Sequence, residues 1–178
     1  ANVAKSIDDL ILADKLILPG VGHFDHAMKS FNNSGMREMV EDLVIQKKMP
    51  ILGVCVGMQM MADSSEEGNE PGLGWISGKV REFSVINQDD PLPHMGWNSV
   101  RPNSKNNLFD NIDTDMLSFY FLHSYYFECK NSNHSVADTY YGSGFCSSVK
   151  NGNIFGVQFH PEKSHVCGVN LLKNFSEV

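Results

Sequence analysis

Residues Pro50-Ile51-Leu52-Gly53-Val54-Cys55-Val56-Gly57-Met58-Gln59 decide how the rest of the chain is read. Ile51 to Val54 is an apolar run of strand length. It stops at a cysteine with a glycine two residues away on each side. That spacing is the G-x-nucleophile-x-G pattern of a sharp strand-to-helix turn, which strains its central residue and lifts the side chain off the sheet. Glycine suits the flanks because a Cβ there would collide with the opposite arm of the turn. The helix that follows, Met58 to about Ala62, is expected to aim free N–H groups at the sulfur and lower the thiol pKa. Taken alone, the same letters equally fit a buried structural cysteine beside two loop glycines.

Working outward, Lys15 to Leu18 reads as a short buried strand ending in Pro19-Gly20-Val21-Gly22-His23-Phe24. Two glycines in that loop suit it to presenting N–H groups to an anion, although an ordinary βα turn fits as well. Before it, Ser6 or Asp8 caps a helix. After it, Asp25 to Lys48 is helical in pattern and broken near Asn32-Asn33-Ser34-Gly35. Met36, Met39, Val40, Leu43 and Val44 recur at the three- and four-residue spacing of one buried face. Downstream of the cysteine the texture turns to strands: Gly78 to Ile86, the neighbourhood of Val100, Leu117 to Phe127, Val136 to Tyr141 and Phe145 to Val149. Asn151-Gly152 is a hairpin turn into the buried strand Ile154 to Phe159. Gly168 to Ser176 reads as a closing helix, with Val169, Leu172 and Phe175 on one side. Helices and strands alternate early and strands dominate the middle. The expected fold is α/β: a mainly parallel central sheet flanked by helices, with an antiparallel β insertion, as one domain over residues 1–178.

Fourteen basic against 21 acidic residues, a formal charge of −7, argue against a nucleic acid or an anionic membrane as the main partner. No apolar run approaches the ~18 residues of a membrane span. Cys55, Cys129, Cys146 and Cys167 are widely spaced, with no C-x-x-C, which reads as reduced, cytoplasmic usage rather than a disulfide framework or zinc site.

The second half of a site stands at the end of the last strand, in His160-Pro161-Glu162. Residues two apart on an extended chain point the same way, so the imidazole and the carboxylate can share one face. That gives a thiol what it needs: a base to take its proton and return it to a leaving amine, and an acid to fix the tautomer. A surface turn with a paired glutamate is the bland alternative, and the elbow at Cys55 weighs against it. A zinc reading of His160 with His165 is weaker, for want of a second ligand pair at metal-site spacing.

Six segments now coincide: Leu18 to Gly22, Leu52 to Gln59, Pro71-Gly72-Leu73-Gly74-Trp75, Pro93-His94-Met95-Gly96-Trp97-Asn98, Tyr120 to Tyr126 and Gln158 to Ser164. Together they resemble the class I (triad) glutamine amidotransferases. Within that family the resemblance is greatest to the glutaminase subunits of imidazole glycerol phosphate synthase, and it runs from about Leu16 to Phe175. It implies a flavodoxin-like three-layer sandwich. It also implies a Cys55–His160–Glu162 triad that hydrolyses glutamine through a γ-glutamyl thioester, with no cofactor or metal. By the same resemblance, the backbone N–H of Val56 and the loop at Val21 and Gly22 form an oxyanion hole. Gln59, Glu67, Ser124 and Tyr125 hold the substrate. His94, Trp97, Tyr120 and Lys163 fall at the family's interface and signalling positions. This overturns the compositional preference for Trp97 as a core residue. The implied partner is a (β/α)8 cyclase subunit, in a heterodimer that receives the ammonia for histidine biosynthesis. Relatives that feed ammonia to the amidination of bacterial surface sugars are the alternative, faintly echoed in Phe24-Asp25 and Lys163-Ser164-His165. Members of the family usually begin with a further strand, glycine-containing turn and helix. The resemblance therefore implies that the first strand and helix are missing here and that a sheet edge is open.

Overall fold

The computed structural model describes residues 1–83, 91–103, 107–112 and 117–178. Helix α1 (Ile7–Ile11) is capped by Ser6: its hydroxyl accepts from the Asp9 N–H, and the Asp9 carboxylate accepts from the Ser6 N–H. Strand β1 (Leu16–Gly20), helix α2 (Phe24–Asn33) and helix α3 (Arg37–Glu41) follow. The expected helix break falls at Gly35, whose φ of 72° lies in the left-handed region. Helix α3 runs on into a π-helical turn, Asp42–Gln46. Then come β2 (Ile51–Cys55), α4 (Val56–Gln59), β3 (Ser64–Ser65), β4 (Gly78–Glu82), β5 (His94–Ser99) and β6 (Arg101–Pro102). The chain closes with β7 (Ser118–His123), β8 (Tyr125–Cys129), β9 (Ser135–Tyr141), β10 (Ser143–Asn151), β11 (Ile154–Val157) and α5 (His165–Ser176). The strand expected from Gly78 to Ile86 is observed as far as Glu82, and Ile86 lies outside the described residues.

The main sheet runs β1-β2-β11-β10-β8-β4-β3, with β9 also on β10 and β6 on β9. Strands β1, β2 and β11 are mutually parallel, with Gly20 opposite Cys55 and Val54 opposite Val157. The antiparallel strands are continuous with them rather than set apart, because the hairpin at Gly152 folds β10 back along β11. Side chains of β2 alternate between two cores. Leu52 and Val54 meet Phe24 and Met28 of α2 and Leu171 and Phe175 of α5. Ile51 faces Leu10 of α1 and Val40 of α3 on the other side. This is the three-layer α/β arrangement, with helices covering both faces of a parallel core. The buried side of α5 is Gly168, Leu171 and Phe175, and Val169 is exposed, contrary to the sequence expectation. The cause is local: a Cβ at Gly168 would run into the Pro161 carbonyl, so the helix sits down on that glycine.

A separate ribbon pairs β5 with β7, antiparallel, with Met95 opposite Leu122 and Trp97 opposite Tyr120. Its inner face carries His94, Phe119, Phe121 and His123, all buried, while Met95, Trp97 and Leu122 on the outer face are exposed.

Gly57 marks where sheet and helix approach most closely, since a Cβ there would strike the Leu18 carbonyl on β1. Gly57→Ala is therefore expected to cost about 1–3 kcal/mol through overpacking. Urea unfolding reads this as a lower midpoint at constant slope; an unchanged midpoint would contradict the tight approach.

Candidate active site

Cys55 ends β2 with φ 55° and ψ −115°, a conformation that non-glycine residues rarely adopt. Such strain persists only where the surroundings hold it, and here the two glycines do so differently. A Cβ at Gly53 would lie 2.8 Å from the Gly57 carbonyl across the turn, while Gly57 is held small by β1. The residue is buried, and its thiol donates to the Leu122 carbonyl at 3.9 Å. The expected lowering of the thiol pKa is not found. Burial pushes the Cys55 thiol up to about 11, outweighing the Val56 N–H that works downward, and the charges of Glu162 and Glu67 add to the rise. The helix after the cysteine is only four residues long, too short to offset the loss of water around the sulfur.

His160 lies just beyond the end of β11, the strand beside β2, so it and Cys55 leave the sheet at the carboxyl ends of neighbouring parallel strands. Its ring donates from Nδ1 to Glu162 Oε1 at 2.8 Å, so that in the neutral tautomer Nε2 is the nitrogen available as a base. The two side chains meet through a 3-10 turn at Pro161–Lys163 rather than along an extended strand. Ser164 closes that turn: its hydroxyl donates to the His160 carbonyl at 2.6 Å and accepts from the Tyr120 N–H at 3.0 Å. His160 also forms an isolated bridge with Tyr120, tying the turn to β7.

The loop at Val21 and Gly22 follows β1 directly opposite the elbow. Val21 is exposed, Gly22 has φ 85°, and a Cβ on the preceding Gly20 would press on the backbone of Val56 and Gly57. The end of β1, from which the loop leaves, is thus packed closely against the elbow. Glu67 accepts from the Phe24 N–H at 2.8 Å, so its carboxylate caps α2 at the same rim. Gln59 is buried and its Nε2 donates to the Tyr125 carbonyl, at 3.0 Å. Ser124 sits between β7 and β8, its carbonyl accepting from the Phe83 N–H at 3.1 Å.

The four residues expected at an interface divide. Trp97 is 49% exposed and stacks flat on His165, with ring centroids 5.1 Å apart. Lys163 places its ammonium 5.5 Å from the Tyr120 ring centroid. His94 is only 3% exposed, sandwiched between Phe121 and Tyr141, so its side chain does not itself form part of the outer surface. Three residues that lie in the quoted segments without an assigned role prove to touch the site: Gln158, whose Nε2 lies 3.8 Å from Cys55 Sγ, His123 and Ser164. The signal of Gln158 and His123 in the sequence is faint, a polar residue inside an apolar stretch, and Ser164, among charged neighbours, carries none. Among the described residues no three histidine, cysteine or carboxylate side chains group as a metal site, and no helix is long and apolar enough to cross a membrane.

A strained cysteine at a strand-to-helix elbow, with a histidine held by a glutamate just past the end of the neighbouring parallel strand, on an α/β sheet with this strand order, defines a class. The family model described as glutamine amidotransferase class-I matches residues 3–177, and the chain belongs to that family. The imidazole glycerol phosphate synthase subunit HisH of Bdellovibrio bacteriovorus is 56% identical over 178 residues, spanning 99% of this chain and 87% of the relative. The subunit of the same name from Leptospira interrogans is 48% identical over 179 residues, spanning 99% of this chain and 87% of the relative. Among solved structures, a glutamine amidotransferase superimposes with a TM-score of 0.70 at 18% identity, over 99% of this chain and 86% of the other. At that identity the last likeness speaks for the fold alone.

Proposed function

We propose that the chain is the glutaminase subunit of an imidazole glycerol phosphate synthase, with Cys55, His160 and Glu162 as its triad. The observation that carries this is the His160–Glu162 bond of 2.8 Å at the end of the strand next to Cys55. It frees Nε2 for the thiol proton. The sulfur attacks the side-chain amide carbon of glutamine, and the C–N bond breaks as His160 returns that proton to the departing ammonia. Water then cleaves the γ-glutamyl thioester, giving glutamate and the restored thiol. Backbone N–H groups of Val56 and of the Val21-Gly22 loop receive the developing oxyanion, each such donor contributing about 3–4 kcal/mol in the transition state. Glu67 suits the substrate's α-ammonium by charge, and Gln59, Ser124 and Tyr125 complete its binding.

The relatives' subunit names support a companion chain, which we assign as a (β/α)8 cyclase subunit in a heterodimer. Its docking face is the outer side of the β5–β7 ribbon: Met95, Trp97 and Leu122 are exposed apolar side chains in a row, flanked by Tyr120 and Lys163. Such a patch on a charged protein marks an interaction surface. The chemistry calls for it too, because ammonia released into neutral water becomes ammonium and ceases to be a nucleophile. His94 lies beneath this face and bears on a partner only through its neighbours.

The test is glutamine hydrolysis by the chain alone, then with the histidine-pathway cyclase subunit and its nucleotide ligand. Turnover is expected to be low alone and to rise about 5–150-fold in the loaded complex, the span of ordinary coupling between sites. Equal rates in all three conditions would remove the partner from the reading, and no hydrolysis in any would reject it.

A further inference from the structure

Gln158 follows the last residue of β11 and is completely buried, with Nε2 3.8 Å from the sulfur of Cys55. An amide has the same outline either way round, so its neighbours must fix which end faces the sulfur. Here the direction is set by a backbone carbonyl, which can only accept. The Tyr125 carbonyl accepts from Gln59 Nε2 at 3.0 Å, and the second hydrogen of that NH2 goes to Gln158 Oε1, also at 3.0 Å. With its oxygen so engaged, Gln158 turns its NH2 to the sulfur. The Tyr125 carbonyl also accepts from His123 Nδ1 at 2.8 Å. The Nε2 of His123 must then accept from His94 Nδ1, 3.0 Å away. Every donor in this buried row is assigned by one acceptor that cannot reverse.

We propose that Gln158 is a catalytic residue, donating an N–H hydrogen bond to the Cys55 thiolate in an orientation set by the Tyr125 carbonyl through Gln59. The proposal rests on Cys55 being the nucleophile of the glutaminase reaction above. The thiolate needs such a donor. It is out of water, and Glu162 and Glu67 oppose its charge, against Lys163, the Val56 N–H and the His160 ring once that has taken the proton. The Leu122 carbonyl, 3.9 Å away, accepts from the thiol but repels the thiolate. A bond to an anion is shorter and roughly twice as strong as one to a neutral group. The 3.8 Å contact is the slack form, which tightens as the proton leaves. Because both hydrogens of Gln59 are spent inside the row, Gln59 offers substrate only its Oε1, and so meets a donor such as an ammonium.

The experiment compares the chain with Gln158→Met, which keeps length and removes the N–H. Iodoacetamide alkylation is followed from pH 7 to 11 on the Cys55 peptide by mass spectrometry, with Cys167 in the same digest as reference. Cys55 alkylation at pH 9 is expected to fall about tenfold, an upward shift of about one pH unit in its profile. Cys167 should hold. In the glutaminase assay kcat should fall with KM within about threefold, since a donor that strengthens only towards the anion acts on the chemical step. An unchanged Cys55 profile overturns the assignment. Should Gln158→Met not fold, Gln158→Glu, with an acceptor in place of the donor, must move the profile further in the same direction. Alkylation reads the donor whether or not glutamine is the substrate. A wild-type chain that alkylates as described but hydrolyses no glutamine with its partner would sink the glutaminase reading alone.

Discussion

Cys55→Ala is expected to abolish glutamine hydrolysis, by at least about 10³-fold, while leaving the fold in place. The first half follows from the chemistry: without the sulfur there is no thioester, and the His160–Glu162 pair has nothing to deprotonate but water. The second half follows from the packing. The side chain is small, and its polar contacts are long ones to Leu122 and Gln158. Its loss should cost on the order of 1 kcal/mol, or 2–4 °C in melting temperature for a chain of this size. Hydrolysis persisting in the folded variant would reject the thiol mechanism. A collapse of the fold would mean that the strained elbow depends on the sulfur more than its contacts suggest.

The second large effect concerns acid. Burial holds the His123 imidazole neutral down to about pH 3, against the pull of the Tyr125 carbonyl, and the nearby His94 and His160 rings oppose a charge there as well. An unfolded histidine titrates near 6.5. Below that pH the unfolded chain takes up a proton that the folded chain refuses. The stabilisation is therefore complete above about pH 6.5 and is lost steadily as pH falls towards 3. At up to about 1.4 kcal/mol per pH unit, acidification from 6.5 to 4.5 costs roughly 2–3 kcal/mol from this group alone. Urea midpoints at pH 7.5, 6.5, 5.5 and 4.5 should fall less steeply in His123→Asn than in the wild type, whatever the variant's starting stability. Equal slopes would show that His123 is not the group that titrates.

How much of this was legible beforehand depended on range. The elbow at Cys55 was legible because its glycines stand two residues away, and the His160–Glu162 pair because its members are two residues apart. The means of their meeting was not, since a 3-10 turn replaced the extended backbone assumed. The thiol pKa, which the elbow's spacing points downward, goes up. Helix polarity is a local feature that spacing suggests, whereas burial of the sulfur depends on strands from elsewhere in the chain. The same holds for Gln158, which reaches Cys55 and, through Gln59, the Tyr125 carbonyl only after β11, β2 and β8 are laid into one sheet. On α5, periodicity alone could not choose between the Val169 side and the Leu171 side. The Pro161 carbonyl against Gly168 decided it.

Strand β7 has a further consequence for what the chain can tolerate. Tyr120 and Leu122 turn outward, on the face proposed for docking, while Phe121 and His123 turn inward, and the carbonyl of Leu122 accepts from the Cys55 thiol. Recognition and chemistry are interleaved there residue by residue. A single inserted or deleted amino acid would exchange the two sets, exposing the histidine and burying the leucine. Evolution can repaint either side of this ribbon one side chain at a time, but it cannot change its length.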